Sequence, residues 1–122
     1  MHPHHILVLD DEELIREGLV DYFDDLGCTA TGCGTGEEGL AALRAQRFAL
    51  AVVDVRLPDM DGNTFMVEAL LLQPDLRFIV HTGSLEYQES TAQSGIAGLE
   101  AVLVKPVMDM GVFVDVLDRL PR

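Results

Sequence analysis

Short apolar runs alternate along the chain with longer segments in which apolar residues recur at helical spacing. The runs lie at residues 6–9, 28–31, 48–53, 77–81 and 101–104. Continuous apolar runs are typical of strands in a parallel sheet, because helices cover both faces of such a sheet. The intervening segments predict helices over residues 12–25, 36–45, 64–73, 85–95 and 108–120. The alternation predicts an α/β fold with a doubly wound parallel sheet of five strands.

Residues that favour helix ends mark several of these boundaries. Gly27 follows the first helical segment, at a position where glycine commonly ends a helix. Thr35 and Asn63 are expected to cap the second and third helices, because their side-chain oxygens can accept a free backbone N–H. The apolar positions of the first helix are Leu14, Ile15, Leu19, Tyr22 and Phe23. Their spacing predicts one helix face packed on the sheet.

Length, charge and the shortness of the apolar runs restrict the class of protein. The 122 residues predict a single domain, residues 1–122, with its core at residues 5–120. The net charge of −13 opposes contact with phosphate backbones, so direct nucleic-acid binding is not expected. The longest apolar run, residues 48–53, is far shorter than the roughly 20 residues of a membrane-spanning helix. The first residues lack a signal-peptide pattern, and the cytoplasm is the expected location.

The cysteines and histidines are interpreted as structural residues. Cys28 and Cys33 have the spacing of neither a disulfide framework nor a zinc site, and we expect both to be small, buried or half-buried residues. His81 is expected to be a strand-end residue rather than a metal ligand. His2, His4 and His5 are expected to lie in a frayed N-terminal tail.

Polar residues fall where four of the predicted strands end. They are Asp10 and Asp11 after the first strand, Asp54 after the third, Thr82 after the fourth and Lys105 after the fifth. In an open parallel sheet the carboxyl ends of the strands share one edge, and ligands bind in the crevice there. We therefore expect three carboxylates, a hydroxyl and a lysine to converge on that edge.

This combination suits a phosphoryl group. Clustered carboxylates repel one another in a crevice, and a hard cation such as Mg²⁺ offsets the repulsion with oxygen ligands. A metal, the ammonium of Lys105 and the hydroxyl of Thr82 could together hold phosphoryl oxygens. Asp54, at the centre, is the expected acceptor, because a carboxylate can act as a phosphorylated nucleophile.

Four separated motifs resemble the receiver domain of bacterial two-component response regulators. They are Leu9-Asp10-Asp11-Glu12, the segment from Asp54 to Gly62, Thr82-Gly83 and Lys105-Pro106. The resemblance covers residues 5–120 in order and spacing. It implies a flavodoxin-like fold with strand order 2-1-3-4-5. It also implies a sensor histidine kinase or phosphotransfer protein as donor, and a downstream effector or fused output domain as recipient. A homodimer remains open.

The resemblance also implies a role for each matching residue. Asp54 matches the phosphorylated aspartate, and Asp11 the direct Mg²⁺ ligand. Asp10 matches the neighbouring acid that helps to hold the metal, and the backbone carbonyl of Arg56 matches a third protein ligand. Thr82 matches the hydroxyl that moves to the phosphoryl group. Lys105 matches the lysine that pairs with it, before a peptide bond to Pro106 that the family usually keeps cis.

The chain departs from the family at three places. Val102 stands three residues before Lys105, where the family usually has an aromatic ring that turns inward when the hydroxyl residue moves. A valine cannot act in this way, so the signal must run through loop and helix shifts, or the switch is weak. Gly98-Leu99 replaces a common Gly-Ala pair, and residues 84–97 resemble the family only loosely. Since that last segment belongs to the surface read by partners, the partner is the least predictable feature.

Three other interpretations are weighed against a phosphorylated receiver. A non-phosphorylated interaction module could keep the fold alone, and Val102 favours it. A Mg²⁺-dependent phosphatase with an aspartyl intermediate commonly has a second acid two residues after its nucleophile, where this chain has Arg56. A calcium loop over Asp59-Met60-Asp61-Gly62 is disfavoured, because its glycine comes too early. We expect Asp59 and Asp61 to shape the turn into the third helix rather than to bind metal.

Overall fold

The computed structural model describes residues 4–83, 96–105, 107 and 110–120, which form one five-stranded sheet flanked by helices. The strands are β1 (His5–Leu9), β2 (Thr29–Cys33), β3 (Leu50–Val53), β4 (Arg77–Thr82) and β5 (Leu99–Val104). The helices are α1 (Glu13–Asp25), α2 (Gly36–Ala45), α3 (Gly62–Leu72) and α4 (Gly111–Arg119). The strand order is β2-β1-β3-β4-β5, and all pairs are parallel. The predicted fold class and strand order are confirmed.

Successive side chains along the central strands point to opposite faces of the sheet, which divides the core between the two faces. Leu7 and Val53 point to one face with the side chains of α2 and α3. Val8 and Val52 point to the other face with those of α1 and α4. These strand residues are at most 2% exposed, as expected for a sheet covered on both sides. Each face buries large aromatic rings, which are Phe65 and Phe78 on the first, and Phe23 and Phe113 on the second.

The cap predicted for α2 is confirmed. Thr35 has extended backbone angles, and its hydroxyl oxygen accepts the backbone N–H of Glu38 at 3.1 Å. The cap predicted for α3 is wrong. That helix begins at Gly62, and Asp61 is its cap, with its carboxylate accepting the N–H of Thr64 at 2.7 Å. Asn63 lies within the first turn instead.

Gly62 explains the earlier start of α3. Its N–H donates to the carbonyl of Val55 at 2.9 Å, which closes the loop after β3 directly onto the helix. A Cβ atom at Gly62 would lie 2.8 Å from the Cα of Val55, so a larger residue could not approach as closely. The helix therefore starts where glycine allows contact with the loop, and the preceding aspartate takes the capping position.

Other predicted boundaries shift by a few residues. β2 starts and ends later than predicted, because residues Thr29 to Cys33 pair with β1 from His5 to Leu9. Leu14, placed in the apolar stripe of α1, is 84% exposed. The stripe follows Ile15, Leu19 and Phe23 at intervals of four, and Leu14 lies one residue off it. The predicted helix over residues 85–95, Pro106, and the predicted start at residue 108 lie outside the described residues.

In the part of the chain that the structure describes, none of the helices combines the length and apolar character needed to cross a membrane.

Both cysteines are buried and free, as the spacing predicted. Burial raises the pKa of each thiol above its ordinary value, so both thiols stay protonated at neutral pH. They therefore behave as small apolar residues of the core.

Replacement of the α3 cap tests the corrected helix start. We expect Asp61→Ala to lower the free energy of unfolding by about 1 kcal/mol, because the N–H of Thr64 loses its acceptor. Asn63→Ala should cost less, since position 63 lies inside the helix, where alanine is favoured. Urea denaturation of both variants measures the difference. A larger loss for Asn63→Ala would restore Asn63 as the cap.

Candidate functional site

The sheet brings the predicted site residues together at the carboxyl ends of its strands. Asp10 follows β1 directly, Asp54 follows β3, Thr82 ends β4 and Lys105 follows β5. The strand hydrogen bonds continue into these residues. The N–H of Asp54 donates to the carbonyl of Leu9 at 2.9 Å, and that of Lys105 to the carbonyl of Thr82 at 2.7 Å. Their backbone positions are therefore fixed by the sheet itself.

Lys105 joins three carboxylates. Its Nζ lies 2.9 Å from Asp10 Oδ2, 3.2 Å from Asp54 Oδ2 and 3.3 Å from Glu12 Oε1. Asp10 is 1% exposed and Asp54 6% exposed, whereas Glu12 is largely exposed. Burial of two neighbouring carboxylates is costly unless a cation accompanies them, and Lys105 supplies that cation.

Four acids at this edge could hold a metal ion. Asp10, Asp11, Glu12 and Asp54 each offer one oxygen, and these oxygens all lie within 4.8 Å of one another. Oxygen ligands from carboxylates are those that Mg²⁺ prefers. Among the described residues, Asp59 and Asp61 do not belong to this acid cluster, and their expected lack of a metal-binding role stays a prediction.

A pocket of about 380 Å³ opens beside Asp54. It is lined by Asp11, Glu12, Asp54, Arg56, Thr82, Gly83 and Lys105. Asp10 does not line it; its Oδ1 accepts the N–H of Glu12 at 2.9 Å, and its Oδ2 contacts Lys105. The pocket thus brings Asp54, Arg56, Thr82 and Lys105 to one small volume.

Opposing effects act on the pKa of Asp54. Burial raises the pKa of Asp54 above its ordinary value, and the charge of Asp10 adds to the increase. The N–H of Arg56, 3.1 Å from Asp54 Oδ1, and the ammonium of Lys105 favour the ionised form. For Lys105, burial acts to lower the pKa, but the hydrogen bond to Asp10 and the charge of Asp54 outweigh it and the pKa is raised. Lys105 is therefore charged at neutral pH.

Two contributors to the site were missed by the sequence reasoning. Glu12 adds a carboxylate to both the acid cluster and the pocket, and its place beside Asp11 was a usable signal. Arg16 donates from Nη1 to the carbonyl of Asp10 at 2.9 Å, and its stem lies against Gly32. Nothing in the sequence distinguished Arg16 from a solvated helix residue, because its role depends on the approach of β2 to α1.

The loop after β3 carries two further acids with separate tasks. Asp61 shapes the turn into α3, as predicted, by capping that helix. The prediction was wrong for Asp59, whose carboxylate accepts the N–H of Gly36 at 2.8 Å and that of Glu37 at 2.9 Å. Both amides belong to the first turn of α2, so Asp59 connects the loop after β3 to a helix that is distant in the sequence.

Val102 and His81 occupy the strands behind the pocket. Val102 is half-buried and packs with the cluster under α2 and α3. His81 is 6% exposed, and its ring meets that of Phe113 edge-on, with centroids 6.3 Å apart. Its Nδ1 has no hydrogen-bond partner among the described residues. Burial lowers the pKa of His81, and the charge of Lys105 lowers it further.

Comparison with known proteins assigns the chain to a family. The family described as "Response regulator receiver domain" matches residues 6–117, and the chain belongs to this family. It is 35% identical over 107 residues to the DNA-binding transcriptional activator DevR/DosR of Mycobacterium tuberculosis. It is 28% identical over 122 residues to the transcriptional regulatory protein GlrR of Escherichia coli. These matches cover 86% and 98% of this chain, but only 49% and 27% of those proteins.

Solved structures agree with this assignment. A CheY-like receiver domain protein from Methanospirillum hungatei superposes with a TM-score of 0.82 at 30% identity, over 95% of this chain and 94% of that one. The response regulator TrrA from Thermotoga maritima, solved in complex with Mg²⁺-BeF, gives a TM-score of 0.80 at 23% identity, over 94% and 97% of the chains. The second likeness shows the shared fold alone.

The buried imidazole of His81 predicts a pH dependence of stability. Its folded pKa is lowered, so between that pKa and the unfolded value of about 6.5 only the unfolded chain is protonated. The preference of the folded chain for neutral His81 therefore costs no stability above pH ~6.5, and it lowers the free energy of unfolding as the pH falls through this window. We expect His81→Leu to raise the free energy of unfolding at pH ~7.5 by about 1 kcal/mol, because an unpaired buried nitrogen is removed.

Denaturation of the wild type and His81→Leu across the range from pH ~7.5 to ~5.5 measures this effect. The two proteins differ only at position 81, so the difference between the two curves isolates His81. The variant should lose less stability on acidification than the wild type. Parallel curves would show that His81 does not titrate differently on folding.

Proposed function

We propose that Asp54 accepts a phosphoryl group from a sensor histidine kinase or phosphotransfer protein in the presence of Mg²⁺. The observation that carries the proposal is that Asp54, buried and paired with Lys105, borders a pocket also lined by Asp11, Arg56 and Thr82. The aspartyl phosphate then biases a surface that a downstream effector or a fused output domain reads.

The acidic cluster fits Mg²⁺. Its four carboxylate oxygens can approach one centre, and an excess of negative charge remains after Lys105 is counted. We assign the metal to Asp10, Asp11, Asp54 and the backbone carbonyl of Arg56. When bound, Mg²⁺ supplies positive charge for the phosphoryl oxygens. TrrA, a structure of the same fold, was solved with Mg²⁺-BeF.

The chain's own residues prepare Asp54 for attack. The N–H of Arg56 holds one carboxylate oxygen and Lys105 holds the other, which fixes the plane of the nucleophile. A bond forms between an Asp54 oxygen and phosphorus, and the phosphorus–nitrogen bond of the donor phosphohistidine breaks. Lys105 stays charged and pairs with the transferred group, while the hydroxyl of Thr82 donates to one of its oxygens. Water later cleaves the acyl phosphate and restores the carboxylate.

The signalling role sets the expected partners and location. We assign the chain a switch function rather than turnover of a small substrate, with catalysis limited to its own phosphorylation and dephosphorylation. Its curated relatives include transcriptional regulators that are longer than this chain. A fused or separate effector in the cytoplasm is consistent with these relationships. With Val102 in place of a ring, we propose that loop and helix shifts carry the signal.

Labelling with acetyl phosphate tests the acceptor. We expect the wild type to incorporate phosphate only with Mg²⁺, and Asp54→Asn to lose the label because an amide cannot form the acyl phosphate. Lys105→Ala should be labelled at least ~10²-fold more slowly, since a preorganised positive charge is removed. Asp75→Asn is the matched control, because this exposed acid lies before β4 at the opposite edge of the sheet.

Three outcomes would contradict the proposal. Absence of Mg²⁺-dependent labelling would favour the non-phosphorylated interaction module. Unchanged labelling of Asp54→Asn would place the acceptor elsewhere. Sustained turnover of small phosphate esters would favour the phosphatase.

A further inference from the structure

The loop from Asp54 to Asp61 carries the acceptor and the Arg56 segment of the site, and it is closed at its base. Arg56 pairs with Asp61 in an isolated antiparallel bridge. The N–H of Gly62 donates to the carbonyl of Val55. The tip of the loop, with Asp59 and Met60, projects beyond this closure toward α2. Its contacts there are separate from those that close the base.

Asp59 binds the first turn of α2 with both carboxylate oxygens. Oδ1 accepts the N–H of Gly36 and Oδ2 that of Glu37, at 2.8 and 2.9 Å. N–H groups in the first turn of a helix have no partner within the helix, and a carboxylate there also gains from the helix dipole. These hydrogen bonds lower the pKa of Asp59, although the side chain is exposed. The contact is therefore between an ionised carboxylate and two oriented donors.

Met60 adds a second contact between the loop and α2. A Cβ atom at Gly36 would lie 2.5 Å from both Cγ and Sδ of Met60, so the methionine side chain lies directly on that glycine. Gly36 is therefore contacted by two successive residues of the loop. The rest of α2 is anchored in the core through Leu40 and Leu43, which are 3% and 4% exposed. The helix thus offers a fixed support to the loop tip.

We propose that Asp59 is a positioning residue for the metal site, because it fastens the loop that carries Arg56 to the N-terminus of α2. This inference rests on the proposed function, in which the Arg56 carbonyl is a ligand. In the described part of the chain, Asp59 belongs neither to the acid cluster nor to the pocket lining. Its effect passes through the loop backbone, as that of residues behind a metal ligand commonly does.

A purely structural role makes a different prediction. If Asp59 only accepted free N–H groups at the N-terminus of α2, its removal would have the same effect on Mg²⁺ affinity as the removal of any other cap on that end. Thr35 provides the comparison, because its hydroxyl accepts the N–H of Glu38 on the same helix turn. Thr35→Ala removes a cap from α2 without removing a side chain of the β3–α3 loop. The two roles are separated by Mg²⁺ affinity rather than by stability.

Isothermal titration of the folded variants with Mg²⁺ alone, together with urea denaturation, tests the proposal. We expect Asp59→Ala to weaken Mg²⁺ binding by about tenfold, within the range for residues that orient a ligand. The Mg²⁺ affinity of Asp59→Asn should lie between those of Asp59→Ala and the wild type, because the amide oxygen keeps one acceptor. Thr35→Ala should lose stability while its Mg²⁺ affinity stays within about twofold of wild type.

Asp11→Asn separates failure of this inference from failure of the proposed function. Loss of Mg²⁺ binding in Asp11→Asn, with wild-type affinity in both Asp59 variants, would overturn the positioning role and leave the metal site intact. Equal weakening in Asp59→Ala and Thr35→Ala would also overturn it, in favour of general support of α2. Wild-type affinity in Asp11→Asn, or no binding by the wild type, would reject the metal site and the inference with it. Should Asp59→Ala not fold, the same comparisons apply to Asp59→Asn.

Discussion

The site depends on one ion-pair network, in which Lys105 lies between the buried carboxylates of Asp10 and Asp54. Two carboxylates this close and this little exposed would repel each other strongly without a cation. Lys105 comes from β5, so the network holds the ends of β1, β3 and β5 together at one edge. The lysine offsets part of the negative charge, and the remaining acids can still attract a divalent ion. One arrangement thereby neutralises buried charge and, in the proposed function, prepares Asp54 for a phosphoryl group.

Much of this could be predicted from the sequence, because it depends on local patterns. Apolar runs predict buried strands, and a polar residue directly after such a run must lie at the sheet edge. Asp54 and Lys105 were found in this way, and the structure places them 3.2 Å apart. The cap of α3 was misassigned because the residue at which this helix begins depends on how closely Gly62 can approach Val55. Asp59 was misassigned for a similar reason, since its partners at Gly36 and Glu37 are distant in the sequence.

The departures from the family concern how the state of the site is transmitted. Val102 packs half-buried against the cluster under α2 and α3, where it cannot exchange positions as a ring would. The contact between Asp59 and α2 connects the acceptor loop to a helix on that same face. We propose that a change at Asp54 reaches α2 through the loop backbone and Asp59. Such a route needs no aromatic side chain.

We propose that Asp54 is the residue that carries the phosphoryl group. Borohydride reduces an acyl phosphate to the alcohol and leaves free carboxylates unchanged. Peptide mapping by mass spectrometry after treatment with acetyl phosphate, Mg²⁺ and borohydride therefore locates the acceptor directly. We expect homoserine at position 54 and unmodified aspartate at positions 10, 11, 59 and 61. Homoserine at position 10, 11, 59 or 61, or its absence from position 54, would contradict this assignment.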